Sequence, residues 1–480
     1  MKDSSTIITT NSAPLSNPGG SFLTRSDHLG ELGDLEQGSA SDLKQDFWTQ
    51  GVQLLRRFER FSDFDDLQQA ISLLEDFFLS ASLSDPRYLV GLTKLGIALS
   101  YRFRHLGELS DLEDAISRQK DAVLLTPDGH PNKPGHLNDL GNDLRVRFHR
   151  LGQLGDLEEA ISSHSDAVDL TRNGHPNEAV HLNNLGNDFR ARFEHLGELR
   201  DLEQAISRHR DAVDLTPDGH PNKHGYLTNL GNDFRARFQC LGELRDLEQA
   251  ISRHEHAIDL TSDGHPNKPG HLHDLGDHFR ARFKRLGQLD DLEQAISRHR
   301  DAVNLTRDGH PNEAVHLNNL GNDLRARFEC LGELGDLEHA ISRHRDAVDL
   351  TPDGHPNKPV HLNNLGNDFK ARFQRLGELS DLEQAISRHR DAVDLTPDGH
   401  HNKPGYLKNL GHDFKARFER LGELEDLEQA TSSHKNAVNL IPKGSSMHTD
   451  AIAPTSASES HSHPDKPTSL LTVTPPNLVI

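Results

Sequence analysis

Asparagine recurs at fixed steps along the chain, each time followed by a base. Asn183, Asn184 and Asn187 precede Arg190, and Asn229 and Asn232 precede Arg235. Asn318, Asn319 and Asn322 precede Arg325, and Asn363, Asn364 and Asn367 precede Lys370. Offsets of three and four residues put each set on one face of a helix. A carboxamide both donates and accepts, so a row of them pairs with a peptide backbone whatever the side chains are. A base at the end of each row suits a carboxylate. The pattern points to an extended peptide ligand, acidic or carboxylate-bearing. The competing reading is that asparagine near a helix start caps or solvates it. The stretch from His175 to Asp188 also reads the same as that from His310 to Asp323, so recent duplication accounts for such sameness as well as selection does.

Histidine fills a second recurrent position, at His164, His209, His254, His299, His344, His389 and His434, where earlier copies carry Leu74 and Gln119. One reading is a ladder of metal ligands. The other is a semi-buried packing position that accepts leucine, glutamine or neutral histidine. Helices that pack about 10 Å apart cannot bring neighbouring copies within the roughly 2 Å of a zinc–nitrogen bond, so no metal is expected there. Loop histidines such as His130 and His136 read as braces of the chain turn. The Arg-x-Arg-Phe pairs, such as Arg190 and Arg192, suit phosphate, but their acidic neighbours make a solvated, salt-bridged face the simpler reading. Cys240 and Cys330 occupy the same repeat position as His195 and Arg285, which argues against catalysis. Neither a phosphate-binding Gly-x-x-x-x-Gly-Lys-Ser/Thr loop nor a Gly-x-Ser-x-Gly elbow is present. No enzyme activity and no cofactor are expected.

These positions are set by a tandem repeat. Glycine recurs at Gly96, Gly141, Gly186 and onward to Gly411 in steps of 45 residues, with Gly51 one step earlier. Nine units run from about residue 46 to 442 without insertion. In one unit Leu137, Leu140, Leu144, Phe148 and Leu151 make a single helical stripe. The spacing predicts a helix over 136–151, with Pro134 at its start and Gly152 as its C-cap. A second helix is predicted from Asp156, with Glu159 completing a capping box. Its stripe is Leu157, Ala160, Ile161, Ala167 and Val168. A turn such as Pro217-Asp218-Gly219-His220-Pro221 follows. Neither helix can bury its stripe alone, but stacked neighbours can.

Leu137, Leu140-Gly141, Ala160 and Ala167, with Ala115, Ala122 and Pro127 one unit earlier, resemble the tetratricopeptide repeat. The unit is longer, 45 residues against the usual 34. Seven of the extra residues fall at the hairpin tip, lengthening each arm by about one turn, and four fall in the inter-repeat loop. Close approach at Gly141 and Ala160 is expected. Long repeats of this kind are similar to those of kinesin light chains and of a fungal group of tetratricopeptide proteins often joined to a caspase-like CHAT or nucleotide-binding domain. The resemblance implies an all-α, right-handed solenoid of tandem antiparallel helix pairs, its first helices lining a concave groove. It implies a non-enzymatic scaffold that binds protein or peptide there, with asparagine ladders and lysine–asparagine clamps as the known devices. Its alternative is the recognition half of a sensor whose effector is lost or acts in trans.

Composition fits. Only 33% of the 480 residues are apolar and 5% aromatic, short of material for a conventional core of that size. A net charge of −22 disfavours nucleic acid, and no apolar run suits a membrane span or a signal peptide. Two cysteines make no disulfide framework, so a cytoplasmic location is expected. Protonating all 33 histidines would carry the charge from −22 to +11, so solubility is expected to fall in mild acid. Residues 1–45 and 443–480 are expected to be disordered. Each holds a broken repeat copy, Leu29 to Gln37 and His463 to Leu470, as in a fragment of a longer ancestor. Self-association through uncapped solenoid ends is a further expectation.

Overall fold

The computed structural model describes residues 40–172 and 174–440; the expectations for residues 1–39 and 443–480 lie outside them, and residues 40–45, expected to be disordered, belong to the first helix. The described residues are helices and short connections, in two compact units that meet in sequence at Leu350 and Thr351. The first unit holds α1 (Ala40–Phe61), α2 (Phe64–Ser80), α3 (Tyr88–Leu106), α4 (Leu109–Leu125), α5 (Lys133–Leu151), α6 (Leu154–Leu170) and α7 (Glu178–Leu196). It continues with α8 (Leu199–Leu215), α9 (Lys223–Leu241), α10 (Leu244–Leu260), α11 (Lys268–Leu286), α12 (Leu289–Leu305), α13 (Glu313–Leu331) and α14 (Leu334–Leu350). The second unit holds α15 (Lys358–Leu376), α16 (Leu379–Asp394), α17 (Lys403–Leu421) and α18 (Leu424–Leu440). Odd-numbered helices are called A and even-numbered ones B.

Within each unit every helix packs on the next, and each A–B pair forms an antiparallel hairpin. Successive A helices from α1 to α9, and α15 with α17, also touch. B helices make no contact of that extent with each other among the described residues, so the A helices form the inner layer of each stack.

Local chemistry sets the boundaries. Each A helix after α1 ends on a glycine in the left-handed region, as at Gly152 with φ 70°, whose N–H reaches the Phe148 carbonyl at 2.7 Å, and α1 ends on Ser62 in the same region. The B helix begins two residues earlier than the sequence suggests, at Leu154, and its capping box does not form. Asp156 is instead claimed by Arg147 on the preceding A helix, through Nε at 2.9 Å and Nη2 at 2.6 Å. The same arginine–aspartate clamp spans nine residues in every unit, from Arg57–Asp66 to Arg417–Asp426. It corrects the reading of the Arg-x-Arg-Phe pair: the second arginine is a half-buried strut on a buried carboxylate. At the other end of the hairpin His130 does brace the turn, its Nδ1 accepting the Asn132 N–H at 3.1 Å, whereas His136 is no loop residue: it is buried within α5 and its Nδ1 meets the Thr93 hydroxyl of α3 at 2.9 Å.

The core is built across repeats. Leu112 and Ile116 of α4, Leu140 and Leu144 of α5 and Ala160 of α6 form one cluster. The close approach at the helix crossing differs from the expected one. A Cβ placed on Gly141 would lie 2.6 Å from the His164 ring, so the glycine makes room for the histidine rather than for Ala160.

Candidate peptide-binding face and the polar network behind it

From His164 to His389 the recurrent histidine is buried, not semi-buried, and within each unit it reaches into the next repeat; only His434, in the last described helix, is half-buried. His164 Nδ1 lies 2.5 Å from Asp188 Oδ2, as do His209 from Asp233 and His299 from Asp323. His389 makes the same contact with Asp413 in the second unit. The other carboxylate oxygen takes the base of the preceding A helix: Arg145 on Asp188 at 3.0 Å, Arg190 on Asp233 at 3.1 Å and Lys370 on Asp413 at 3.0 Å. A fully buried aspartate thus gathers two partners from the repeat before it, and this latch ties neighbouring repeats together. The sequence reading missed it. Its signal is the histidine–aspartate spacing of 24 and base–aspartate spacing of 43.

Among the junctions whose B helix carries the histidine, the one between α10 and α11 departs from this scheme. His278 replaces the aspartate, so His254 Nδ1 meets His278 Nε2 at 3.1 Å and Arg235 turns to His278 Nδ1 and the Asp277 carbonyl. Burial lowers the Arg235 guanidinium and holds the His278 imidazole well below its usual range. One repeat on, His299 lies between Asp323 and Asp277. Burial alone would lower its imidazole, but hydrogen bonds to the two carboxylates raise it.

The first two asparagines of each set are largely spent on each other. Asn184 Nδ2 donates to Asn138 Oδ1 at 2.8 Å, Asn229 to Asn183 at 2.9 Å, and Asn409 to Asn363 at 2.8 Å. Asn319 reaches His273 Nε2 at 3.3 Å and Asp277 Oδ1 at 3.4 Å. Asn183 and Asn318 are buried, and Asn364 is half-buried and bonded. The third asparagine differs. Asn187 touches His209 Nε2 at 3.2 Å, whereas Asn232, Asn322 and Asn367 are half-buried and their amides make no protein hydrogen bond among the described residues. Arg190, Arg235, Arg325 and Lys370 sit half-buried beside them. Arg190 commits Nε to Glu194 and Nη1 to Asp233, leaving Nη2 for another acceptor.

Residues 179–222 and 314–357 each match the family model described as tetratricopeptide repeat. The chain carries tetratricopeptide repeats. The two matched stretches lie three 45-residue steps apart, in the register that the unmatched copies share. Such repeats are a protein-interaction fold rather than an enzyme fold.

Among solved structures the chain is similar to a Podosopora anserina putative kinesin light chain with nearly identical TPR-like repeats. Identity is 15%, with 45% of this chain and 98% of that chain covered and a TM-score of 0.34. It is also similar to BtubC (BKLC) from P. vanneervenii, at 14% identity, 56% and 91% coverage and a TM-score of 0.35. A third is YrrB, described as a TPR protein with an unusual peptide-binding site, at 17% identity, 49% and 93% coverage and a TM-score of 0.33. No curated protein matches the chain.

Among the described residues, no group of three or more histidine, cysteine or acidic side chains is placed to hold a metal ion, and no helix is long and apolar enough to cross a membrane. Both cysteines are exposed thiols.

Burial also makes part of the tetratricopeptide stack acid-sensitive. His181 is 2% exposed, bonds the Thr171 hydroxyl at 3.1 Å, and burial lowers its imidazole to about 4. An unfolded chain binds that proton near pH 6.5, so this residue's contribution is complete above pH 6.5 and is lost as pH falls toward 4. Chemical denaturation of His181→Asn is expected to show about 1.5 kcal/mol less loss than the parent between pH 6.5 and 5. Identical pH slopes in the two proteins would show that His181 is solvated in the folded state.

Proposed function

We propose that the chain is a non-enzymatic scaffold that holds an extended peptide along the inner, A-helix face of its repeats. The observation that carries this reading is the row of third-register amides. Asn232 and Asn322 in the first unit, and Asn367 in the second, sit at that register of their A helices with donors and acceptors uncommitted. The rungs behind them, Asn183 with Asn229 and Asn363 with Asn409, fix the helix faces that present them. The remaining N–H groups of the half-buried bases favour a ligand with carboxylates, terminal or side-chain, as Arg190 Nη2 illustrates.

The reading separates two kinds of asparagine. A peptide selected from a display library on the full chain is expected to lose ten- to a hundredfold in affinity on Asn232→Ala with Asn322→Ala. That is two neutral hydrogen bonds at about 1 kcal/mol each. The double variant should keep its melting temperature, because neither amide has a protein partner. Asn229→Ala should instead lower stability, because its amide closes a rung. Unchanged affinity of every selected peptide for the double variant would remove the open amides from the ligand site.

A further inference from the structure

The junction between α4 and α5 lacks the latch. At the other junctions compared within the two units, the B-helix residue and the residue 24 positions on suit each other. Leu74 and Ala98 are both apolar, His164 meets Asp188, His254 meets His278, and His389 meets Asp413. Gln119 and Asp143 hold the same two positions and make no hydrogen bond to each other. Gln119 is fully buried, and neither its Oε1 nor its Nε2 has a partner. Asp143 is 4% exposed. Its Oδ1 accepts from the Ser100 hydroxyl at 2.7 Å, and its Oδ2 has no partner.

The base is missing as well. Ser100 stands where Arg145, Arg190 and Arg280 stand in later repeats, and those guanidinium groups reach the equivalent carboxylates at 3.0 to 3.3 Å. Shortening that side chain leaves a cavity of about 190 Å³, lined by Ser100, Gln119, Asp143, Asp139, Glu59 and Arg104 among others. Three carboxyl groups and one guanidinium therefore face it. Burial raises the Asp143 carboxyl to about 7 and that of Asp139 to about 6, as happens to carboxyls held from water without sufficient counter-charge.

We propose that this cavity is a binding site for the guanidinium group of an arginine side chain on a bound peptide, seated on Asp143. The ligand would supply the charge that Arg145 supplies to Asp188 and Arg190 to Asp233 from within the chain. Gln119 Oε1 would accept a second N–H, since a guanidinium carries five donors in a planar fork. The assignment rests on the peptide reading of the A-helix face only for the source of the arginine, and the site itself stands on its own residues.

The test uses N-acetyl-arginine methylamide as probe on the full chain, with the lysine and citrulline counterparts as controls, followed by NMR titration. Saturable binding of the arginine compound is expected, with at least tenfold weaker binding of citrulline, which has the shape without the charge. Asp143→Asn should abolish binding. Ser100→Arg should also abolish it, by restoring an internal guanidinium, and should raise the melting temperature. No saturable binding, equal binding of citrulline or of the lysine compound, or unchanged binding by folded Asp143→Asn would each overturn the assignment. Because the probe is a single residue, a failure of the asparagine variants to affect peptide binding leaves this result separately readable.

Discussion

Replacing Arg237 by alanine is expected to destabilise the first unit by about 3 kcal/mol. Its Nε lies 2.9 Å and its Nη2 2.6 Å from the two oxygens of Asp246. The Asp246 side chain is 2% exposed and that of Arg237 is 25% exposed. Removing a partner from a buried pair costs about 3–5 kcal/mol because the other charge is stranded, and partial solvation of Arg237 puts this pair at the lower end. Part of the effect is lost stacking, since the guanidinium carbon sits 5.4 Å from the Phe234 ring. Adding Asp246→Asn should recover a substantial part of the loss, as the stranded charge is then gone. Chemical denaturation of the three variants checks this. A loss below about 1 kcal/mol would mean that water reaches Asp246 once the arginine is removed.

The second large effect is expected at a helix crossing. A Cβ on Gly186 would lie 2.6 Å from both Cδ2 and Nε2 of His209. That ring cannot yield easily, because it is 1% exposed and held by Asp233 at 2.5 Å and by the Asn183 carbonyl at 3.2 Å. Overpacking of this kind costs about 1–3 kcal/mol, and displacement of the ring also strains the latch. The helix-propensity gain of alanine returns about 1 kcal/mol. Gly186→Ala is expected to lose about 1–2 kcal/mol net. Gly96→Ala should be close to neutral, because the atom it meets, at 2.9 Å, is Nε2 of the unbonded Gln119 amide, the far end of a flexible side chain. Equal losses at the two glycines in thermal melts would show that the histidine's rigidity is not what makes the position intolerant.

The repeat was legible because its signals are local. Leu137, Leu140 and Leu144 mark a helix by spacing alone, and Gly152 ends it because its φ of 70° disfavours residues with a Cβ. The start of the second helix was misplaced by two residues because Asp156 looks like a cap, and only its partner nine residues back shows otherwise. The polar face was half legible. Spacing put Asn183, Asn184 and Asn187 on one side of α7, but could not say that Asn183 would accept from Asn229 while Asn232 stayed open. Those outcomes depend on how far one repeat is shifted against the next, which no single helix encodes. The histidine position was underread for the same reason: His209 looks like packing until Asp233 is seen across the junction. The signal was nonetheless present in pairs, since Leu74 goes with Ala98 and His254 with His278.

Hydrogen exchange on the full chain with and without a library-selected peptide tests the central claim most directly. The account predicts that slowed exchange on ligand addition falls on the A helices, α9, α13 and α15 foremost, which carry Asn232, Asn322 and Asn367. Protection confined to the B helices or to the Pro-Asp-Gly-His-Pro loops would contradict it, because the ligand would then lie on the other side of the hairpins.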